Sequence, residues 1–424
     1  MPSSTFSSEA AGSVAAVAAS ASIGIPLTAP GSPLPGPGAG EHFVRPGFVR
    51  KTASDRPGVA QPVPERDIPP QPWHRIFVTA MVLAALALVG WEAYWRAFGA
   101  VPGYHNGNDA WALQRARIDQ GEGDATVLTG ASRVLFDVQL PVWQQATGER
   151  PIQLALEGTS PVPVLEDLAA DRNFTGRVLV GVAPDIFFTG FAYRGDAIAT
   201  FHKWTPAQRA GTWLARHLVE PYFAFYDSDF ALPTVVRRQA WPLRPGMRKS
   251  TRVRKLLVQE ADRNSHMWSK LETDPQYRAL ARSIWAEDFG APPPGMETPA
   301  GARRVIDTQI AKAAAAIATL RARGVRVLFL RAPSTGAYYA YEQKYFPRAR
   351  TWDVLLQRTG APGIHFEDYP SLQGYRQPEW SHLSASEATR FTAALMPIVQ
   401  RQPWGATRAL PSTADVASLS PAAR

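Results

Sequence analysis

Three residues far apart in the chain have the types and settings that nucleophilic chemistry requires: Ser132, Glu379 and His382. A serine hydroxyl is a poor nucleophile at neutral pH and works only beside a base. Among the eight histidines, His382 stands in the loop SLQGYRQPEWSHLS, three residues after Glu379 and just before the closing helix. A Glu-x-x-His pair in a loop can fold back so that the carboxylate meets one imidazole nitrogen. The neutral tautomer is then fixed and the other nitrogen faces the nucleophile. His365, near the end of a strand and close to Glu367 and Asp368, is the reserve base. For any one histidine, a structural role is the commoner fate, so His382 gains weight only through its order relative to Ser132.

The elements around Ser132 explain why that serine stands out. In ATVLTGASRVL, Ala125 to Leu135, a short β-branched run stops at Gly130-Ala131-Ser132, and an apolar-periodic segment extends from Val134 to Trp143. That reads as strand, tight turn, helix. It puts the serine at the carboxyl edge of a sheet, where open α/β folds hold ligands, and at a helix N-terminus that favours negative charge. The competing reading is that Ser132 only caps the helix, since serine is a preferred N-cap.

Further along, Ile152 to Leu156 reads as a second strand ending at Glu157-Gly158-Thr159-Ser160, and Arg177 to Val182 as a third, leading into Ala183-Pro184-Asp185. Val325 to Leu330 and Gly363 to Phe366 give a fourth and a fifth. Apolar runs alternating with helices predict a parallel sheet covered on both faces. Between about 190 and 299 the pattern lapses into an aromatic-rich stretch without strand signals, expected to be an inserted helical lid. Inside it, Ala231 to Gln259 carries Arg237, Arg238, Arg244, Arg248, Lys249, Arg252, Arg254 and Lys255 and no acid. Such a run is either a solvated face or a contact for an anionic surface.

Residues 1–72 are rich in Ala, Ser, Pro and Gly and are expected to form a disordered tail, as are residues 403–424. Ile76 to Gly90 carries no charge, and with the aromatics beyond it the apolar zone of residues 73–98 is long enough to cross a bilayer. Trp73, Trp91, Tyr94 and Trp95 would form its interfacial belts. The alternative is a buried core helix. Arginines flank both ends, so charge alone does not orient the span. The net charge of +9 over 424 residues points to an anionic neighbour, and no motif that reads DNA or RNA accompanies it. With no cysteine, disulfides and thiolate chemistry are excluded. No cofactor-binding pattern is present, and the spacing of His365, Glu367, Glu379 and His382 matches no metal-ligand pattern.

A serine after the first strand, a glycine after the second and an acid-x-x-His before the last helix together resemble the SGNH (GDSL-type) hydrolase and acyltransferase superfamily. GASR stands where GDS is usual, LALEGTS holds the glycine block, and PEWSHLS holds the acid–histidine block. The anchor, the insertion and the late EWSH resemble membrane-tethered envelope acylation proteins of the DltD kind. The resemblance spans about Ala125 to Val399. It implies a flavodoxin-like three-layer α/β domain over residues 99–402, with Ser132 as nucleophile, His382 as base and Glu379 as its orienting acid. The backbone N–H groups of Ser132 and Gly158 would form the oxyanion hole. The chain departs from the pattern twice. Its acid is Glu rather than Asp, and GVAPD replaces the block that normally carries an Asn donor. One such donor is worth about two to three orders of magnitude in rate. Arg133 is a candidate to compensate, or else a surface ion pair; Asp185 either holds substrate or caps the segment after it.

The expected function is therefore a membrane-anchored serine esterase or O-acyltransferase that acts on a cell-envelope polysaccharide. The protein would span the inner (cytoplasmic) membrane once, with the catalytic domain on the extracytoplasmic side. Its partners would be the acylated polysaccharide and a membrane-bound acyltransferase. The alternative is a catalytically weak or inactive protein of the same fold that binds a polymer or a partner enzyme.

Overall fold

The computed structural model describes residues 70–239 and 255–403. The expected N-terminal tail lies outside these residues apart from 70–72, as do residues 240–254 of the basic run and the closing tail beyond 403. The chain divides into two compact units, residues 1–75 and 76–424, and of the first only residues 70–75 are described.

The α/β domain is organised by a sheet of five parallel strands. They are β1 (Thr126–Thr129), β2 (Ile152–Gln153), β3 (Arg177–Gly181), β6 (Arg326–Arg331) and β7 (Gly363–His365), in the spatial order β2-β1-β3-β6-β7. Strands β4 (Leu257–Gln259) and β5 (Ser265–Met267) form a separate antiparallel hairpin. The sheet strands are apolar on both sides because both sides are covered. Leu128, Leu179, Leu328, Leu330 and Ile364 point into one core, shared with helices Ser132–Asp137, Leu140–Thr147 and Ala385–Arg401. Val127, Val178, Val180, Val327 and Phe329 point into the other, under helices Val162–Ala170, Pro299–Ala322 and Trp352–Thr359. Successive residues of a strand face opposite ways, so this alternation gives three layers.

Taken in chain order, the five strands lie 2-1-3-4-5, so the direction of chain progression reverses between β1 and β3. In open sheets of this order the crevice outside the carboxyl ends at that switch point is where ligands bind. Ser132 comes directly after β1.

Three expectations are corrected. The helix expected over Val134–Trp143 is broken into Ser132–Asp137 and Leu140–Thr147. Pro141 is the reason: it lacks an N–H and would clash with the preceding turn, so it begins the second helix instead. The strand expected over Ile152–Leu156 pairs as a strand only at Ile152 and Gln153, although Leu154 and Leu156 still donate to Leu128 and Gly130 at 2.8 and 2.9 Å. Finally, the insertion is not wholly helical. It has helices at Asp196–His202, Pro206–Leu218, Leu232–Arg237, Lys270–Thr273 and Pro275–Ala286, but also the β4–β5 hairpin, whose three-residue strands are too short to show a period in sequence.

Helix Trp73–Phe98 has 26 residues, and the mean hydropathy of its most apolar 18-residue window is 2.0. At 1.5 Å per residue it is about 39 Å long, enough to cross a bilayer. None of that window is buried, which removes the core-helix alternative.

Candidate functional site

The turn after β1 is built by close packing. Gly130 has φ +157°, and a Cβ there would come within 2.8 Å of Val134 Cγ2 and 3.1 Å of the Gly181 Cα. Any side chain at 130 would push the new helix off β3. Ala131, with extended backbone, holds the N-cap position, so Ser132 is the first helical residue and not the cap. The capping reading fails on that point. Arg133, Val134, Leu135, Phe136 and Asp137 are all buried, while Ser132 is partly exposed and opens into a cavity of about 480 Å³.

The loop carrying EWSH reaches the same cavity. Trp380 adopts φ +76°, a left-handed conformation unusual for a bulky residue. The sharp bend brings Glu379 under His382: Glu379 Oε1 accepts from the His382 backbone N–H at 2.7 Å and lies 2.8 Å from its Nδ1. Its other oxygen, Oε2, accepts from Trp285 Nε1 at 2.6 Å. Burial opposes ionisation of Glu379, but His382 and Trp285 outweigh it and hold its pKa below the ordinary carboxylate value. With Nδ1 directed at the carboxylate, Nε2 is the nitrogen left to act. It is buried and has no hydrogen-bond partner within the protein, and no hydrogen bond joins it to Ser132 Oγ. His382 and Ser132 both line the cavity.

The two segments are clamped together through the helix that begins at Ser132. Phe136, one turn on, stacks on the His382 ring with centroids 4.2 Å apart. Asp137 Oδ1 accepts from the Leu383 backbone N–H at 2.9 Å. Burial pushes the Asp137 pKa up to about 7 against the pull of His382 and Arg133.

Arg133 is not a surface ion pair. It is 3 % exposed; Nη1 donates to Glu342 Oε1 at 2.7 Å and Nε to the Ser381 carbonyl at 3.2 Å. Burial works against its charge, and Glu342 more than offsets it, so the guanidinium stays protonated. Its position makes it a brace between the serine turn and the histidine loop, with its planar group over Tyr338 at 5.0 Å. Asp185 is the second residue of helix Pro184–Thr189 and does not cap it; Ala183 does. Its Oδ2 accepts from Tyr338 Oη at 2.6 Å. Tyr338, not Asp185, borders the cavity. Burial, then repulsion from Glu342, raises the Asp185 pKa.

Gly158 lines the cavity with φ +56°, and a Cβ there would meet Tyr193 Cβ at 3.1 Å. A side chain at this left-handed, crowded position would be strained, which favours glycine. The Ala183-Pro184 stretch that replaces the expected Asn block offers no side-chain donor. Asn106 is at the cavity wall instead, but its amide nitrogen already donates to Glu157 Oε2 at 2.9 Å.

His365 is in a different place. It packs edge-on to Trp352 at 5.2 Å, stacks on Phe366, and its Nδ1 accepts from the Glu367 backbone N–H at 3.3 Å. Burial, then Arg331 and Arg348, depress its pKa to about 3. It does not line the Ser132 cavity. Among the described residues, no group of three or more His, Asp or Glu side chains is arranged to hold a metal ion. Among the described residues of the basic run, Arg238 and Lys255 border the cavity, and they pair with Asp229 and Asp227 respectively.

Sequence reasoning missed Trp285, Phe136 and Asp137. Phe136 lies four residues after Ser132 on one helix, a spacing that puts both on one face. Trp285 carried no signal beyond the aromatic richness of the insertion. A scan against models of known protein families matches none of them, and a search of curated proteins finds no similar sequence.

Proposed function

We propose that this protein is a membrane-anchored SGNH-like serine esterase or O-acyltransferase that modifies a cell-envelope polysaccharide through an acyl-serine intermediate. One observation carries the reading. A serine at the sheet's switch point and an imidazole with an acid on Nδ1 and an unpartnered Nε2 border the same cavity.

In the proposed cycle, Ser132 Oγ attacks the ester carbonyl of the donor while its proton passes to His382 Nε2. The tetrahedral oxyanion is held by the N–H groups of Ser132 and Gly158. Collapse breaks the carbonyl–oxygen bond, and His382 returns the proton to the departing alcohol. A sugar hydroxyl or water then gives its proton to Nε2 and attacks the acyl-serine, which regenerates Ser132. Glu379 stabilises the imidazolium formed in both halves without taking the proton itself. A hydrogen bond between Ser132 and His382 that forms only on substrate binding accords with the looser geometry of many unliganded sites. Helix Trp73–Phe98 would hold the domain at the inner membrane on its extracytoplasmic side, next to a membrane-bound acyltransferase.

The second reading is a binding protein of the same fold without turnover. It is favoured by the side-chain donor missing at Ala183-Pro184. A fluorophosphonate probe separates the two. Labelling of the wild type that disappears in Ser132→Ala supports the enzyme, and absence of labelling in folded protein supports the binder.

A further inference from the structure

The helix Pro206–Leu218 is amphipathic in the wrong sense for a soluble domain. A surface helix normally turns its apolar stripe to the core. Here Thr212 and Arg216 are buried, while Trp213, Leu214 and Leu218 face outward. The inward polar face is satisfied: Thr212 Oγ1 donates to Asp109 at 3.2 Å, and Arg216 lies over Tyr104 at 4.7 Å and donates to the Ala261 carbonyl. The orientation is therefore fixed by specific contacts. The next stretch of chain continues the exposed patch with Tyr222, Phe223 and Tyr226.

This patch adjoins the end of the apolar helix. Glu92 accepts from the backbone N–H groups of Ala224 and Phe225 at 3.0 and 2.9 Å, and Arg96 Nη2 donates to the Tyr222 carbonyl at 2.9 Å. Trp95 stacks on Phe230 at 4.6 Å. Glu92 is the first charged residue after Arg75 and directly follows the uncharged stretch of residues 76–91. Residues 222–225 are thereby tied to the helix just past the end of its uncharged stretch.

We infer that this face of the insertion lies in the headgroup region of the bilayer, with Trp213, Leu214, Leu218, Tyr222, Phe223 and Tyr226 seated on the lipid. Outward Trp and Tyr beside aliphatic residues are what the membrane–water boundary favours. An apolar helical face of this kind sinks about 5–10 Å into it. An exposed aromatic patch with no lipid beneath it would be an aggregation hazard. Asp227 and Asp229, directly after the patch, border the Ser132 cavity, so the cavity is held beside the membrane surface. This inference rests on helix Trp73–Phe98 crossing a bilayer and not on the chemistry at Ser132.

The chain has no cysteine, so single cysteines can be placed at will in the full-length protein. Trp213→Cys, Leu218→Cys and Tyr222→Cys, each carrying an environment-sensitive fluorophore, are reconstituted in vesicles of phosphatidylcholine and phosphatidylglycerol. Nitroxide near the headgroup should quench all three about twofold more than nitroxide near the chain ends. Leu83→Cys should show the reverse order, and Lys312→Cys should show no quenching. The Ser132→Ala background should leave the pattern unchanged, which keeps this test separate from the fate of the catalytic reading. Combined replacement of Trp213, Leu214 and Leu218 by Ser, at outward positions that spare the fold, should weaken quenching at 222. Patch labels that stay in water while Leu83→Cys is quenched overturn the inference. Labels shielded equally whichever nitroxide is present also overturn it, because they report a protein contact. An unquenched Leu83→Cys removes its premise.

Discussion

The two buried histidines near the carboxyl edge of the sheet, His365 and His382, are alike in sequence and opposite in setting. Each has a glutamate two or three residues away, and each stacks on a phenylalanine. His365 is walled in by Trp352 and Phe366, faces Arg331 and Arg348, and is kept neutral far below the ordinary histidine range. His382 has its carboxylate on Nδ1, keeps a buried Nε2 without a partner, and borders the cavity that Ser132 enters. Proximity of an acid in sequence therefore does not make a base. What separates the two is how the acid meets Nδ1 and where in the sheet order the ring lies. Glu379 sits 2.8 Å from the His382 Nδ1, whereas the His365 Nδ1 accepts from the Glu367 backbone N–H and the Glu367 carboxylate stays 3.7 Å away. His365 ends the edge strand β7, and His382 reaches back to the switch point beside β1.

The sharpest break of this comparison is by substitution at each ring. His382→Ala is expected to slow fluorophosphonate labelling of Ser132 by about three orders of magnitude or more, as loss of a triad base does. His365→Gln should leave labelling within a few-fold of the wild type. Equal losses in both would end the distinction. Glu379→Gln should cost about two to four orders of magnitude in labelling rate, because the amide cannot hold the neutral tautomer or stabilise the imidazolium. Next comes Trp285→Phe, which strips one donor from the Glu379 carboxylate. Hydrogen bonds to a charged group contribute about 1.5–3 kcal/mol, and only part of that reaches the imidazole, so a drop of about tenfold is expected. The change should appear in the pH profile of labelling as well as in its rate, which a loss of packing alone would not produce.

The smallest effects concern stability and run in opposite directions with pH. His365 is neutral in the fold down to about 3, whereas in the unfolded chain it takes a proton near 6.5. Below that value the unfolded state binds more protons, so stability falls as pH drops from about 6.5 towards 3. His365→Gln should flatten that part of a chemical-denaturation series. Asp137, raised from 3.8 to about 7, holds its proton longer in the fold. Its contribution is complete below about 4 and is lost as pH rises through about 7. Asp137→Asn keeps an acceptor for the Leu383 N–H and should remove that loss. A slope unchanged by either variant would show that the ring or the carboxyl is more solvated than its packing implies.

Much of this was legible in the residues. Short apolar strands separated by helical periods marked all five sheet strands, because residues buried on both faces leave an unbroken apolar run. The Gly130-Ala131-Ser132 turn was legible because a glycine between an apolar run and a helical period has few other uses. Glu379 and His382 were legible through their spacing, since a local pair needs no tertiary knowledge. Arg133 was not: its partner Glu342 lies 209 residues away, and no local pattern distinguishes a buried ion pair from a surface one. The β4–β5 hairpin and Trp285 escape for a similar reason. Both are defined by what they pack against and not by any period of their own.

Trp285 has a wider implication. Its indole reaches from the insertion, on helix Pro275–Ala286, to the acid of the Glu379–His382 pair. The insertion is thus part of the wiring of the pair and not an ornament on a self-sufficient core. Trimming the chain to its sheet and flanking helices would yield a detuned relic, with its acid untethered on one side.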